Sequence, residues 1–418
     1  MKRSLVAFVL LLALLFACRS ANAQTRLKDG DYVAIIGDSI TEQRLYSLYI
    51  EDYLLMCRPA LDLRATQFGW GGETAPGFAR RMANDCLRFS PTVASTCFGM
   101  NDGGYSPMDR GKAQRYRDGQ KSIVDQLKKA NVRVIVVGSP GVVDADTYGR
   151  NNPPAAAMYN KTLAEERDIA KALAEQEGVV FANVFDPMMD VMTKAKAKYG
   201  RRYHLAGGDG VHPDRNGHLV MAYAFLKALG CDGNIGTITI NLADGKTEAT
   251  DGHKVVSFQD GSAEIESTRY PFCFYGDPAS PSSTRGVIEF FPFNDDLNRF
   301  KLIVTGLKGD KATVTWGNAG KEFAASDLAK GINLAAEFLD NPFSDAFRAV
   351  EQRIADQQQM EVDLIKTAIH DLPVYKRLLP DESQTLDRLA ATLLAKDKQS
   401  RDASAEAVKP VRHTIRVK

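Results

Sequence analysis

Between Asp31 and about Gly230, short runs of β-branched residues alternate with longer stretches of helical periodicity. Parallel strands need a crossover of a dozen or more residues, so this alternation folds as βαβ units with helices on both faces of a parallel sheet. Strands are predicted at Tyr32–Ile36, Leu61–Phe68, Thr92–Phe98, Val132–Gly138 and Val179–Val184. Helices are predicted at Thr41–Met56, Pro76–Phe89, Lys112–Ala130, Ala155–Glu177 and Asn216–Leu229. The fold class is α/β, with a five-stranded sheet. In such sheets ligands bind beyond the carboxyl ends of the strands, so the residues that follow each strand are the first candidates for a site.

The pattern changes after Cys231. Thr237–Leu242, Lys254–Phe258, Val287–Phe291, Phe300–Thr305 and Thr313–Trp316 read as strands separated by turn signals such as Asp260-Gly261 and Lys308-Gly309-Asp310. From Leu328 the chain turns helical, with Phe347, Val350 and Ile354 on one face and Leu364, Ile365, Ala368, Ile369 and Leu372 on the next. Pro373 and Pro380 interrupt it, and Thr385–Leu394 reads as a last amphipathic turn or two. The expected division is a signal segment at 1–23, an α/β domain at 24–233 and a β-rich appended unit at 234–327. A helical extension at 328–395 and a flexible charged tail at 396–418 follow.

Lys2 and Arg3, the apolar run Leu5 to Phe16 and Ala21-Asn22-Ala23 form a secretory signal, with cleavage expected after Ala23. The competing reading is a lipoprotein box at Leu15-Phe16-Ala17-Cys18, which would anchor Cys18; Phe16 suits that box poorly. No later segment is long and apolar enough for a membrane span. With 53 Lys and Arg against 52 Asp and Glu, nothing in the overall charge draws the chain to nucleic acid. Small neutral substrates or glycans fit this balance as partners. Past the signal, Cys57, Cys86, Cys97, Cys231 and Cys273 make an odd count with no zinc spacing, and read as buried thiols with at most one bridge.

The first predicted strand runs into Gly37-Asp38-Ser39-Ile40-Thr41 and a helix. A serine there stands where free backbone N–H groups face outward, suiting a nucleophile and an oxyanion. Taken alone, Ser39 or Thr41 as a helix cap explains the segment equally well. In Asp209-Gly210-Val211-His212-Pro213 the histidine lies three residues after the acid, so Asp209 can hold Nδ1 while Nε2 faces a serine hydroxyl. His204 and His218 are the nearby competitors, and His218 inside a helix reads as a packing or capping residue. The loop Phe68-Gly69-Trp70-Gly71-Gly72-Glu73-Thr74 can bring a bare N–H close to a substrate. In Phe98-Gly99-Met100-Asn101-Asp102 an asparagine amide can donate to the same oxyanion. Each of these loops alone is a common turn.

Gly-Asp-Ser-Ile, a glycine loop, Gly-x-Asn-Asp and Asp-x-x-His, in this order, resemble the four sequence blocks of the SGNH/GDSL hydrolase superfamily over roughly Asp31 to Gly230. The resemblance implies a three-layer α/β/α, flavodoxin-like fold. It also implies Ser39 as nucleophile, His212 as general base and Asp209 as its partner, with the Ser39 N–H, Gly72 and Asn101 as the oxyanion hole. Gly69 and Gly71 compete with Gly72 for the second block. An α/β-hydrolase reading fits worse, because Thr41 replaces the second glycine of Gly-x-Ser-x-Gly and the acid lies only three residues before the base. The segments from Leu297 to Gly317 and Gly331 to Phe338 resemble the C-terminal extension of certain bacterial members of unassigned substrate. The expected activity is ester hydrolysis, foremost removal of O-acetyl groups from carbohydrates, with a lipid or aryl esterase second. A non-catalytic glycan-binding protein is the reading from another class. Nothing in the sequence calls for a metal or an organic cofactor.

Overall fold

The computed structural model describes residues 26–418; the expected signal segment, its cleavage point after Ala23 and Cys18 lie outside them. In chain order the first domain consists of β1 (Tyr32–Gly37), α1 (Ser39–Glu42), α2 (Tyr46–Asp52), β2 (Arg64–Gly69), α3 (Ala75–Asp85) and β3 (Val93–Cys97). It continues with α4 (Arg110–Lys129), β4 (Val134–Gly138), α5 (Pro153–Glu177), β5 (Val180–Ala182), α6 (Phe185–Tyr199) and α7 (Arg215–Ala228). The strands form one parallel sheet in the order β2-β1-β3-β4-β5. Its inner strands β1, β3 and β4 are buried on both faces, as a three-layer α/β architecture requires. Val33 and Ile35 of β1 join the core under α2 and α7, whereas Ala34 and Ile36 join the core under α3 and α4. Among the described residues no helix is long and apolar enough to cross a membrane.

The predicted helix Thr41–Met56 is broken. Arg44 adopts φ +60° between α1 and α2, and α2 ends in a π-helical turn, Tyr53–Cys57. Helix α6 has no sequence expectation behind it; it buries Phe185, Met188, Val191, Met192 and Ala195. Among the described residues the five cysteines, Cys57, Cys86, Cys97, Cys231 and Cys273, are all buried free thiols.

The appended part holds β6 (Asn234–Asn241), β7 (Lys246–Ala249), β8 (His253–Gln259), β9 (Ser262–Ser267), α8 (Phe293–Leu297), β10 (Arg299–Thr305), β11 (Lys311–Trp316) and β12 (Ala319–Ala324). After these come α9 (Ala325–Lys330), β13 (Ile332–Asn333), α10 (Leu334–Glu337), α11 (Ser344–Leu364), α12 (Leu372–Leu378), α13 (Ser383–Glu406) and β14 (Val411–Val417). Two sheets result, ordered β13-β10-β6-β7 and β12-β11-β14-β9-β8. Two expectations are corrected. Val287–Phe291 is no strand but a 3-10 turn at Ile288–Phe290, because Phe290 packs on Tyr199 and Phe291 on Tyr223 in place of pairing with a neighbouring strand. The flexible tail at 396–418 is ordered. Helix α13 runs on to Glu406, and β14 lies inside a sheet, paired with both β9 and β11. The aromatics of Arg269–Tyr275 serve as core, with Tyr270, Phe272 and Phe274 buried.

Helices α11 and α13 cover the free edge of β2. The Glu361 carboxylate accepts the Gln67 N–H (3.1 Å), which closes a backbone donor that an edge strand would otherwise leave open. Around Glu361 lie Glu51, held by Gln357 and Gln358 (2.9 and 2.8 Å), and Asp397, paired with Arg401 (2.9 Å), all buried. Burial pushes Glu51 up from 4.5 to about 7 and pushes Glu361 well above the carboxylate range. A raised folded-state value means that the folded form keeps protons which the unfolded chain releases. Stability from Glu51 is therefore complete below about 4.5 and is lost as pH rises to about 7. The slope is about 1.4 kcal/mol per pH unit for each retained proton. The melting temperature is expected to fall between pH 5 and 7.5, and Glu51→Gln to flatten that decline. A melting temperature that rises over this interval would contradict the assignment.

Candidate active site

The site is assembled where β1, β2 and β3 end. Gly37 is required there, since a Cβ would lie 2.0 Å from Thr41 Oγ1 and 2.8 Å from the Cys97 carbonyl; at Gly69 it would meet the Glu42 nitrogen at 2.2 Å. Both glycines let α1 lie directly on the strand ends. Asp38 caps α1 by accepting the Ile40 N–H (2.9 Å), and burial raises its carboxyl to about 7. The capping reading thus passes to Asp38 and leaves the half-buried Ser39 hydroxyl free.

Ser39 Oγ lies 2.8 Å from His212 Nε2, and His212 Nδ1 lies 2.7 Å from Asp209 Oδ2. Asp209 Oδ1 also accepts the N–H groups of Val211 and His212, each at 2.9 Å. Partial burial acts to raise the Asp209 carboxyl, but these N–H groups and the imidazole outweigh it and hold the value below the ordinary one. The Asp209 side chain is 56% exposed, so water screens its charge and its main effect on the ring is orientation. The turn needs Gly207 and Gly210 at φ +76° and +77°; a Cβ on them would meet the His212 carbonyl at 1.8 Å and the Tyr148 nitrogen at 2.3 Å.

The competing histidine His218 is buried and binds elsewhere. Its Nδ1 accepts the Tyr46 N–H (3.1 Å), so Nε2–H donates to Gln43 Oε1 (3.0 Å). The Gln43 amide then reaches the Pro213 carbonyl (3.4 Å), which joins the residue after α1 to the residue after His212. Burial lowers His218 to about 3, so this link stays neutral at working pH. The break after α1 releases the Gln43 side chain for this role, and no periodicity in the sequence signals it.

Gly72 occupies the left-handed position (φ +71°) of a turn closed by Glu73 N–H to the Trp70 carbonyl (3.1 Å). Asn101 Nδ2 donates to the Glu73 carbonyl (3.0 Å), so the second and third strand-end loops are bonded together. Asp102 ties the same loops, accepting from Ala75 N–H (2.9 Å) and Gly99 N–H (3.1 Å); burial raises it to about 7. Asn101 Oδ1 accepts the Tyr105 hydroxyl (3.2 Å), a partner that no sequence pattern announces. The fold therefore gathers Ser39, Gly72, Asn101, Asp209 and His212 on one sheet edge, joined by two bonded groups: Asp209, His212 and Ser39, and the Gly72 loop with Asn101.

Residues 35–220 match the GDSL-like lipase/acylhydrolase family. An acetylxylan esterase of Geobacillus stearothermophilus is 23% identical over 229 residues, covering 49% of this chain and 96% of the relative. A solved structure titled as a gut microbial diltiazem-metabolizing enzyme is 24% identical. It aligns over 95% of this chain and 99% of its own, with a TM-score of 0.72, so the two share a fold along nearly the whole length, the extension included. A solved acetylxylan esterase from Geobacillus stearothermophilus aligns over 49% of this chain and 96% of its own, at 22% identity and a TM-score of 0.41.

Proposed function

We propose, from the match of residues 35–220 to the GDSL-like lipase/acylhydrolase family, that the chain is a serine esterase that removes O-acetyl groups from carbohydrates. The observation that carries the reading is the hydrogen-bonded series from Asp209 through His212 to Ser39, with spacings of 2.7 and 2.8 Å. With Nδ1–H directed at Asp209, Nε2 is the acceptor for the Ser39 proton. Ser39 attacks the ester carbonyl as His212 takes that proton. The imidazolium returns it to the departing alcohol. A water activated by His212 then cleaves the acyl-serine and releases acetate. The carbonyl oxygen collects charge in both steps, and the Ser39 N–H, the Gly72 N–H and Asn101 Nδ2 are the donors assigned to it.

The acetylxylan esterase relative supports acetate as the acyl group and a glycan as the alcohol. The signal-like residues 1–23 support export to where such glycans occur. A fluorophosphonate probe is expected to label Ser39. In a series of esters of one alcohol, kcat/KM is expected to be highest for acetate and to fall with acyl length. A rate that climbs with chain length would instead identify a lipid esterase, and an unlabelled Ser39 would remove the serine mechanism.

A further inference from the structure

Tyr105 has φ +52°, a left-handed conformation that is an outlier for a bulky side chain. Such outliers persist only where surrounding contacts impose them, and here those contacts belong to the site. The Tyr105 hydroxyl bonds Asn101 Oδ1 at 3.2 Å, and its ring stacks on Tyr159 at 5.0 Å and 25°. Tyr159 is fully buried, donates to the Met100 carbonyl and stacks in turn on Tyr148 (6.1 Å, 7°). Tyr148 abuts Gly210 of the Asp209–His212 turn. The three rings thus form a column from the Asn101 loop to the His212 loop. Of the three, only Tyr105 is open to solvent, at 44% exposure against 8% or less for the others.

We infer that Tyr105 forms the wall of the alcohol subsite, taking the flat apolar face of a ring-shaped alcohol, a pyranose or an aryl group, and that its hydroxyl sets the Asn101 amide for the oxyanion. This rests on the esterase reading above. Stacking needs an exposed aromatic face fixed in orientation, and the buried Tyr159 supplies that rigidity. The amide argument is one of donor inventory. Tyr105 donates to Oδ1, one Nδ2 hydrogen goes to the Glu73 carbonyl, and the second is left for a substrate oxygen. A flipped amide would face the Glu73 carbonyl with its own oxygen. Burial, then the nearby charges of Asp38 and Asp209, push the Tyr105 hydroxyl up to about 12, so it remains a donor throughout the working range.

The test uses three acetates that differ only in the alcohol: an acetylated methyl xylopyranoside, phenyl acetate and ethyl acetate. Tyr105→Ala is expected to raise KM about tenfold for the ring alcohols and to leave KM for ethyl acetate within about twofold. Tyr105→Phe keeps the ring and is expected to preserve every KM while lowering kcat about tenfold on all three. A KM effect on one ring alcohol alone supports the subsite and identifies its occupant. Equal KM changes on all three acetates in Tyr105→Ala, or wild-type kcat in Tyr105→Phe, would overturn the inference while leaving the esterase reading intact. A wild-type protein inactive on every acetate would overturn both.

Discussion

Ser39→Ala is expected to lower kcat on 4-nitrophenyl acetate by on the order of 10⁴-fold or more, with KM little changed. In the proposed mechanism this hydroxyl forms the acyl bond, and among the described residues no other hydroxyl is hydrogen-bonded to His212 Nε2. His212→Ala is expected to fall equally far, and the double variant no further, because the two act as one unit. Asn101→Ala removes one of three assigned oxyanion donors and should cost about 10²–10³ in kcat. Asp209→Asn should cost less than it would at a buried acid, since more than half of the Asp209 side chain is solvent-exposed. Ser39 is half-buried and Asp38, not Ser39, caps the helix, so the melting temperature of Ser39→Ala should hold. Purified Ser39→Ala with undiminished turnover would refute the nucleophile assignment outright.

Removal of residues 407–418 is expected to abolish cooperative folding of the β-rich unit. Strand β14 separates β9 from β11, so its loss opens two sheet edges at once. Ile415 and Val417 are buried, and losing such side chains costs about 1.5–3 kcal/mol each. His413 is buried too, and it is the centre of a hydrogen-bonded chain. Trp316 Nε1–H donates to His413 Nδ1 (3.1 Å), His413 Nε2–H to Ser267 Oγ (2.9 Å), and the Ser267 hydroxyl to His253 Nδ1 (2.8 Å). Truncation orphans the Trp316 donor and deprives Ser267 of its own, at about 1–3 kcal/mol for each unsatisfied group. Together these losses rival the whole stability of an ordinary domain, about 5–15 kcal/mol. The exposed Arg412 and Arg416, by contrast, should tolerate alanine with changes of about 0.5 kcal/mol or less. Thermal melts of the full chain and the truncation decide the matter; a truncated protein that melts within a few degrees of the full one would refute the central placement of β14.

The tail shows why part of the fold was hidden. In Val411-Arg412-His413-Thr414-Ile415-Arg416-Val417 the period-two alternation of a half-buried strand is complete, with the exposed arginines on one side and His413, Ile415 and Val417 buried on the other. Charge and terminal position suggest fraying when each residue is weighed by itself; the partners that make it a strand lie over 90 residues away, at Val314–Trp316 and Ser262–Ser267. Val287–Phe291 fails in the opposite sense. Its residues are apolar enough for a strand, but the fold spends them on the aromatic surfaces of α6 and α7.

The sequence by itself determined the βαβ order, the five parallel strands and the strand-end segments holding Ser39, Gly72, Asn101, Asp209 and His212. These are local properties: side-chain periodicity, glycine where a Cβ would collide, and an acid three residues before a histidine. Only the tertiary structure decided that Ser39 meets His212 across 173 positions of chain, that His218 turns away to Gln43, and that Tyr105 is held against Asn101 at a backbone angle a tyrosine rarely adopts. Such contacts depend on how strand ends and helices close around one another, and that closure is a property of the packed sheet as a whole, which no single segment encodes.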